Sequence, residues 1–175
     1  MEYESRQRSE LLLTSFLPIV DKQSRILILG SMPGVESLRL QQYYGHSRNQ
    51  FWKLLYEVFE TQTSQVYEEK VSFVKRKKIA VWDVIENCYR EGSLDTNIRE
   101  EKVNDFNALF EAYPDIKTVI FNGGKAYETY KKWIGFSASS NLTFRKLTSS
   151  SPANTKKYED KLRGWSVIKD FLKDE

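Results

Sequence analysis

Arg25-Ile-Leu-Ile-Leu-Gly30 runs directly into Ser31-Met-Pro-Gly34, so an almost wholly apolar stretch ends in a turn bounded by two glycines. A short continuous apolar run before such a turn suits a strand buried on both faces, as in a parallel sheet. Ile79-Ala-Val-Trp-Asp-Val84 and Ile116-Lys-Thr-Val-Ile-Phe121 have the same character, and Thr143 to Leu147 is a weaker fourth. Between them the apolar period changes to that of a helix. Phe51, Leu54, Leu55, Val58 and Phe59 recur at i, i+3, i+4, i+7 and i+8. Val103, Phe106, Phe110 and Tyr113 form a second stripe, closed by Pro114. Ala126, Tyr130, Trp133 and Ile134 form a third, and Tyr158, Leu162, Trp165, Ile168 and Leu172 the last. Alternating strands and helices predict an α/β protein, a three-layer α/β/α sandwich around a central four-stranded parallel sheet. Ligands in such sheets bind beyond the carboxyl ends of the strands. The segments to inspect are therefore residues 30–34, Asp83 onward, 122–124 and 148–154.

Composition narrows the function classes. A chain of 175 residues suits one domain, expected to span 1–175, with no repeat or linker dividing it. With 40% hydrophobic and 14% aromatic residues it can build a core, which excludes general disorder. The 27 Lys+Arg against 24 Asp+Glu leave a net charge of +3, which permits a polyanionic partner without arguing for one. One Cys cannot form an internal disulfide, and one Cys with one His cannot build a Cys/His zinc site or an iron–sulfur cluster. The charged N-terminus has no signal-type apolar stretch after it, and no apolar run approaches the roughly 18 residues that span a bilayer. A soluble, reduced, cytoplasmic protein is expected.

Each segment beyond a strand has a bland reading and a chemical one. The 30–34 turn lets backbone approach a ligand closely, yet it has neither the Gly-Lys-Ser/Thr of a Walker loop nor G-x-G-x-x-G. Tyr43-Tyr44-Gly45-His46-Ser47-Arg48-Asn49 is the most unusual stretch. Asn49 there is either the cap of the following helix or, beside a flat aromatic, part of a site that stacks and orients a base. A Ser–His–Asp hydrolase would need a G-x-S-x-G elbow, and the chain has none. Asn122-Gly123-Gly124 is either a turn into a helix or an amide that reads a polar edge. Ser149-Ser150-Ser151-Pro152-Ala153-Asn154, ahead of Lys156 and Lys157, is either a plain loop or a phosphate-backbone contact. The clusters at 75–78, 131–132 and 145–146 read as solvated basic faces.

Taken in order, Gly-Ser-Met-Pro-Gly, Tyr-Tyr-Gly-His-x-Arg-Asn-x-Phe-Trp, Asn-Gly and Ser-Pro-Ala-Asn resemble the hypoxanthine-DNA glycosylases. These DNA-deoxyinosine glycosylases are a branch of the uracil-DNA glycosylase superfamily. Val81-Trp-Asp-Val84 through Arg90-Glu-Gly-Ser-Leu-Asp95 is similar to that branch as well, so the likeness runs from about Ile26 to Trp165. The resemblance implies the superfamily's fold and the hydrolytic removal of a deaminated base in base-excision repair, leaving an abasic site, without cofactor or metal. The expected partner is duplex DNA, or a single strand, carrying such a base, met by a monomer without a membrane. Residue by residue, the resemblance puts Gly30, Ser31, Met32 and Gly34 along the base and the attacking water. Other branches carry a catalytic Asp or Asn where Met32 stands, and a thioether cannot activate water. The hypoxanthine branch shares that absence, and the resemblance implies that the Asn of Tyr-Gly-His-x-Arg-Asn, here Asn49, is catalytic instead. Tyr44 falls where the superfamily stacks an aromatic on the flipped base, and Asn122 where the base edge is bound. His46 and Ser149, Ser150, Ser151, Pro152, Ala153 and Asn154 are implied to contact DNA, the last segment as a wedge in the stack. The branch usually carries proline where Thr148 stands and another residue where Ser150 stands.

Hypoxanthine arises from adenine by deamination and sits in a weakened pair, so extruding it costs only a few kcal/mol. An amide has no group that titrates near neutral pH, so Asn49 would position a water rather than deprotonate it. The base would leave as an anion stabilised by preorganised donors. The rival expectations are a uracil-specific enzyme of the same superfamily, and a non-catalytic nucleotide- or DNA-binding α/β module.

Overall fold

The computed structural model describes residues 11–137 and 141–173. Its central sheet is four-stranded, with β2 (Ile26–Gly30), β3 (Ile79–Asp83), β6 (Thr118–Asn122) and β7 (Thr143–Leu147) in the order β3-β2-β6-β7. Every neighbouring pair is parallel. β2, β3 and β6 are buried along their whole length, as their continuous apolar runs require. β7 is the edge strand, and the exposure of Thr143, Arg145 and Lys146 explains its weaker apolar signal. At the opposite edge, Ile19 and Val81 exchange backbone hydrogen bonds of 2.9 Å, so β3 is capped by a short antiparallel bridge.

Chain order turns back at the centre of this sheet. The chain passes from β2 outward to β3, then returns to the other side of β2 to lay down β6 and β7. The topological switch therefore lies between β2 and β6, and the crevice beyond their carboxyl ends is the expected ligand position. Between β2 and β3 come α1 (Val35–Leu40), α2 (Phe51–Val58) and α3 (Tyr67–Arg76). α4 (Phe106–Ala112) precedes β6, α5 (Gly124–Trp133) follows it, and α6 (Tyr158–Trp165) and α7 (Val167–Asp170) close the chain. α2 buries Phe51, Leu54, Leu55 and Val58 as its spacing predicts, and Phe51 meets Trp165 of α6 edge-on at 5.7 Å.

Two readings of the sequence change, and two elements went unread. Val103 is not the first residue of a helical stripe: it ends a strand, and α4 starts at Phe106 behind Asp105, whose carboxylate accepts the Ala108 N–H at 3.0 Å. The C-terminal stripe is two helices rather than one. Their junction is Ser166, whose hydroxyl donates to the Leu162 carbonyl at 2.8 Å, a bond that bends helices. A second, antiparallel sheet escaped the sequence altogether, formed by β1 (Leu12–Thr14), β4 (Ile85–Tyr89) and β5 (Arg99–Val103) in the order β1-β4-β5. β5 reads Arg-Glu-Glu-Lys-Val and β1 is three residues long, so neither carries an apolar period to detect. This sheet covers a small cluster of Met32, Ile85 and Cys88 beside the 30–34 turn. α3 also passed unread, its polar surface hiding the buried Phe73 and Val74.

Candidate active site

A cavity of about 510 Å³ opens beyond the carboxyl ends of β2, β3, β6 and β7. The turn at 30–34, Asp83, Asn122 and the loop 149–154 line it, joined by Tyr44, His46 and Asn49 from the segment ahead of α2. The residues given a site role from the sequence thus reach one cavity, although they are scattered from position 30 to position 154, while Arg48, Gly123 and Gly124 of the same segments do not line it. Residues 93–96 complete the rim.

A buried polar relay joins three of these elements. The Asn49 Oδ1 accepts the Phe51 backbone N–H at 2.9 Å and the Ser150 hydroxyl at 2.8 Å, the latter from 101 residues away. The fully buried Ser150 hydroxyl accepts in turn from Asn122 Nδ2 at 2.9 Å, and the Ser150 N–H donates to Asn122 Oδ1 at 2.9 Å. The Gln50 N–H donates to the Ser150 carbonyl at 3.0 Å. These bonds fix the orientation of both amides. The lone pairs of Asn49 Oδ1 are occupied, so its amino group is the part it offers to a ligand. Asn122 has one N–H and one lone pair left beyond those spent on Ser150. Asn49 therefore acts as a local cap, through Phe51, and as a site residue at once. Ser150→Ala removes one of the two bonds to Asn49 Oδ1 and leaves Asn122 Nδ2 without its acceptor, which costs about 1–3 kcal/mol. We expect a melting temperature lower by several degrees and base release about tenfold slower. Calorimetry and single-turnover assays check this, and parity with the parent in both would remove the relay from the site's construction.

Opposite the relay stands Tyr44. Its φ of 54° lies in the left-handed region, an uncommon conformation for an aromatic residue that is held only by its surroundings. One ring face is stacked on Phe51 at 3.9 Å with 16° between the planes, and the half-buried residue borders the cavity. Its neighbour Tyr43 is structural: the buried hydroxyl donates to the Leu17 carbonyl at 2.8 Å and its own carbonyl accepts from the Trp52 indole at 2.9 Å. The Tyr44 hydroxyl is buried close to the Asn122 amide, and no hydrogen bond of good geometry satisfies it among the described residues. Burial and the nearby Asp83 charge push it well above the ordinary tyrosine range, so it stays a neutral donor.

Gly30 explains how Tyr44 can lie there. A Cβ on Gly30 would stand 2.6 Å from the Asp83 Oδ1 and 2.7 Å from the Tyr44 hydroxyl, so only glycine admits both. Asp83 is paired with Gly30 across the β2–β3 ladder and is only 3% exposed. Its Oδ2 has no partner among the described residues. Burial is the main force lifting its pKa to about 7; Asp95 adds to the rise and Arg90 opposes it. In the sequence Asp83 stood among the segments beyond the strands and within a family-like stretch, but it had no assigned role.

The turn at 30–34 is braced from below. Arg90 donates to the Pro33 carbonyl at 2.6 Å and to the Gly92 carbonyl at 2.8 Å, while the Ser31 hydroxyl donates to Asp95 at 2.8 Å. The Met32 side chain is 7% exposed, packed on the small antiparallel sheet. The His46 Nδ1 accepts the Arg48 N–H at 3.0 Å, which closes the segment into a tight loop. Pro152 and Ala153 project exposed at the rim. Lys161, fully buried on α6, donates to the Gln50 side chain at 3.0 Å and to the Asn154 carbonyl at 3.1 Å, tying this loop to α2. A lysine on the buried side of a helix stripe carries no sequence signal for that role. Among the described residues no group of three or more His, Cys, Asp or Glu could hold a metal ion, and no helix is long and apolar enough to cross a membrane.

Known proteins share this architecture. The family model of the uracil DNA glycosylase superfamily matches residues 17–172. Two relatives are named hypoxanthine DNA glycosylase. The one from Methanosarcina barkeri (strain Fusaro / DSM 804) is 38% identical over 154 residues, 86% of this chain and 94% of the relative. The one from Methanosarcina acetivorans is 37% identical over 156 residues, 87% of this chain and 95% of the relative. A solution NMR structure of a Methanosarcina acetivorans protein described as a candidate uracil DNA glycosylase superposes with a TM-score of 0.80. It is 35% identical and covers 93% of this chain and 99% of its own. Motif order, sheet topology and these relationships agree, and the chain belongs to the uracil DNA glycosylase superfamily.

Proposed function

We propose that this protein is a monofunctional DNA glycosylase that hydrolyses the N-glycosidic bond of a deaminated base in DNA, with hypoxanthine as its principal substrate. The observation that carries this reading is the convergence of Tyr44, Asn49, Asn122 and the 149–154 loop on one cavity at the switch point of the sheet. The names of the Methanosarcina relatives support the choice of hypoxanthine.

In this reading the exposed Pro152 and Ala153, with Asn154, enter the duplex and fill the space left by the extruded nucleotide. Ser149, Ser151 and His46 lie along the backbone on either side. Ser150, expected from the sequence to touch DNA, is fully buried with its polar groups spent on Asn49, Gln50 and Asn122, so it holds the loop from beneath instead. The flipped purine stacks on the cavity face of Tyr44, whose other face is occupied by Phe51. The backbone around Gly30, Ser31, Met32 and Gly34 and the remaining hydrogen-bonding capacity of Asn122 meet its polar edge. Asn49 offers its Nδ2–H groups to a water and holds it against the anomeric carbon. The acceptor side of this amide is spent on Phe51 and Ser150, so it positions the water without deprotonating it.

The test is base release from duplexes carrying a single deoxyinosine or a single deoxyuridine, with hot alkali to break the abasic sites formed. Cleavage at deoxyinosine is expected, without strand breaks before alkali. Cleavage at deoxyuridine alone would reassign the substrate, and binding without release from either would overturn the enzymatic reading.

A further inference from the structure

We propose that Asp83 is a second catalytic residue, an acid that hands its proton to the departing purine, with the Tyr44 hydroxyl beside it as a fixed donor. This rests on the glycosylase reading above and extends it: the base then leaves neutral rather than as a free anion.

The placement comes first. Asp83 ends β3 at the floor of the cavity, directly across the ladder from Gly30. Its Oδ1 and the Tyr44 hydroxyl both lie within 2.7 Å of the point where a Gly30 Cβ would stand, so the two groups border the same small space above Gly30. Both residues leave a buried polar atom unpaired among the described residues, Asp83 at Oδ2 and Tyr44 at its hydroxyl. Two orphaned polar atoms are costly, and a fold keeps them where a ligand completes the hydrogen bonds. Two other carboxylates near the ends of elements are paired by contrast. Asp95 accepts from Ser31 at 2.8 Å and Asp105 accepts from Ala108 at 3.0 Å.

The surrounding charges favour a proton on Asp83. Tyr43 and Tyr44 face it from the segment before α2, and both are held neutral. Asp95, on the rim, adds repulsion, while Arg90 after β4 offsets part of it. Burial outweighs all of these and holds the group near pKa 7, where an acid is both protonated and able to give up its proton at neutral pH. Asn49 cannot do this, because an amide has no such proton.

The step balances without a further reactant. As the C1′–N9 bond breaks, its electron pair passes to the purine. The Asp83 O–H proton moves to a ring nitrogen of that purine, leaving Asp83 a carboxylate. The water held by Asn49 adds its oxygen to C1′. The surplus proton of that water, released to solvent, restores the Asp83 carboxyl and leaves an abasic sugar and a neutral base.

Asp83→Asn is the variant that separates this role from a structural one, since it keeps size and a hydrogen-bond donor but has no acidic proton. Folding gives an independent readout. A carboxyl whose pKa rises on folding supplies stability below its unfolded pKa and loses it as pH climbs through the folded value. The parent should therefore melt progressively lower than Asp83→Asn as pH rises from about 5 to about 8. Single-turnover release of hypoxanthine should fall about a hundredfold in Asp83→Asn at neutral pH, with affinity for the duplex unchanged. The parent's rate should drop about tenfold per unit above pH 7, and the variant should lack that limb. Xanthine, a more acidic base and better leaving group, should lose less than hypoxanthine. An active parent whose Asp83→Asn variant keeps its rate and pH profile would overturn the acid while leaving the glycosylase reading intact. A parent that releases no base at any pH would instead overturn the reading on which it rests.

Discussion

Gly30→Ala is expected to lower base release by about a thousandfold or more while the chain still folds. The added methyl would lie 2.6 Å from the Asp83 Oδ1 and 2.7 Å from the Tyr44 hydroxyl, closer than any real contact. Neither neighbour is a flexible surface side chain that can swing away. Asp83 sits in a strand buried along its whole length, and Tyr44 is pressed against Phe51 on a left-handed backbone. Both groups must therefore shift together. A displacement of about 1 Å at a reacting centre costs about a hundredfold, and here two are displaced. Overpacking of this kind also costs about 1–3 kcal/mol of stability, enough to lower the melting temperature without unfolding the domain. Gly164→Ala is the matching control. No side chain or backbone lies within 4 Å of its Cβ position on α6, so its activity should equal the parent's. Comparable release by Gly30→Ala and parent in single-turnover assays would mean that the close approach of Tyr44 and Asp83 is not part of the machinery.

Asn49→Ala is expected to slow release by two to three orders of magnitude, the usual effect of removing one preorganised donor from a reacting centre. Binding to a duplex carrying an uncleavable deoxyinosine analogue should be unchanged. A second substitution distinguishes which end of the amide matters. Asn49→Asp keeps an oxygen for the Phe51 N–H and the Ser150 hydroxyl but has no N–H to offer. It should recover no more activity than alanine at neutral pH. Recovery by aspartate, with a rate rising through the carboxylate range, would instead make position 49 a base and reverse the orientation inferred from the relay.

The elements around the site differ in how far they were legible in the sequence. The three buried strands were readable because each is an unbroken apolar run, a pattern that parallel packing between two helix layers demands. The α2 stripe was readable because its buried face follows the helical period. Once the strands were known, the rule that ligands gather beyond their carboxyl ends selected the turns that line the cavity. The small antiparallel sheet was not readable. Its strands are short or charged and are held by backbone pairing, which leaves no periodic mark on side-chain type.

Within the site the division follows the same physics. The sequence by itself determined the α/β sandwich, the segments that meet in the cavity and the candidacy of Tyr44, Asn49 and Asn122, because apolar period and turn chemistry are local properties of a chain. Only the tertiary structure decided that Ser150 fixes both amides, that Asn49 presents its donor rather than its acceptor, and that Lys161 ties the 149–154 loop to α2. It also decided that Asp83 and the Tyr44 hydroxyl lie together over Gly30 with hydrogen-bonding capacity unspent. Hydrogen-bond partners 28 to 111 residues apart, and the desolvation that lifts a carboxyl well above its ordinary pKa, arise only when distant segments pack.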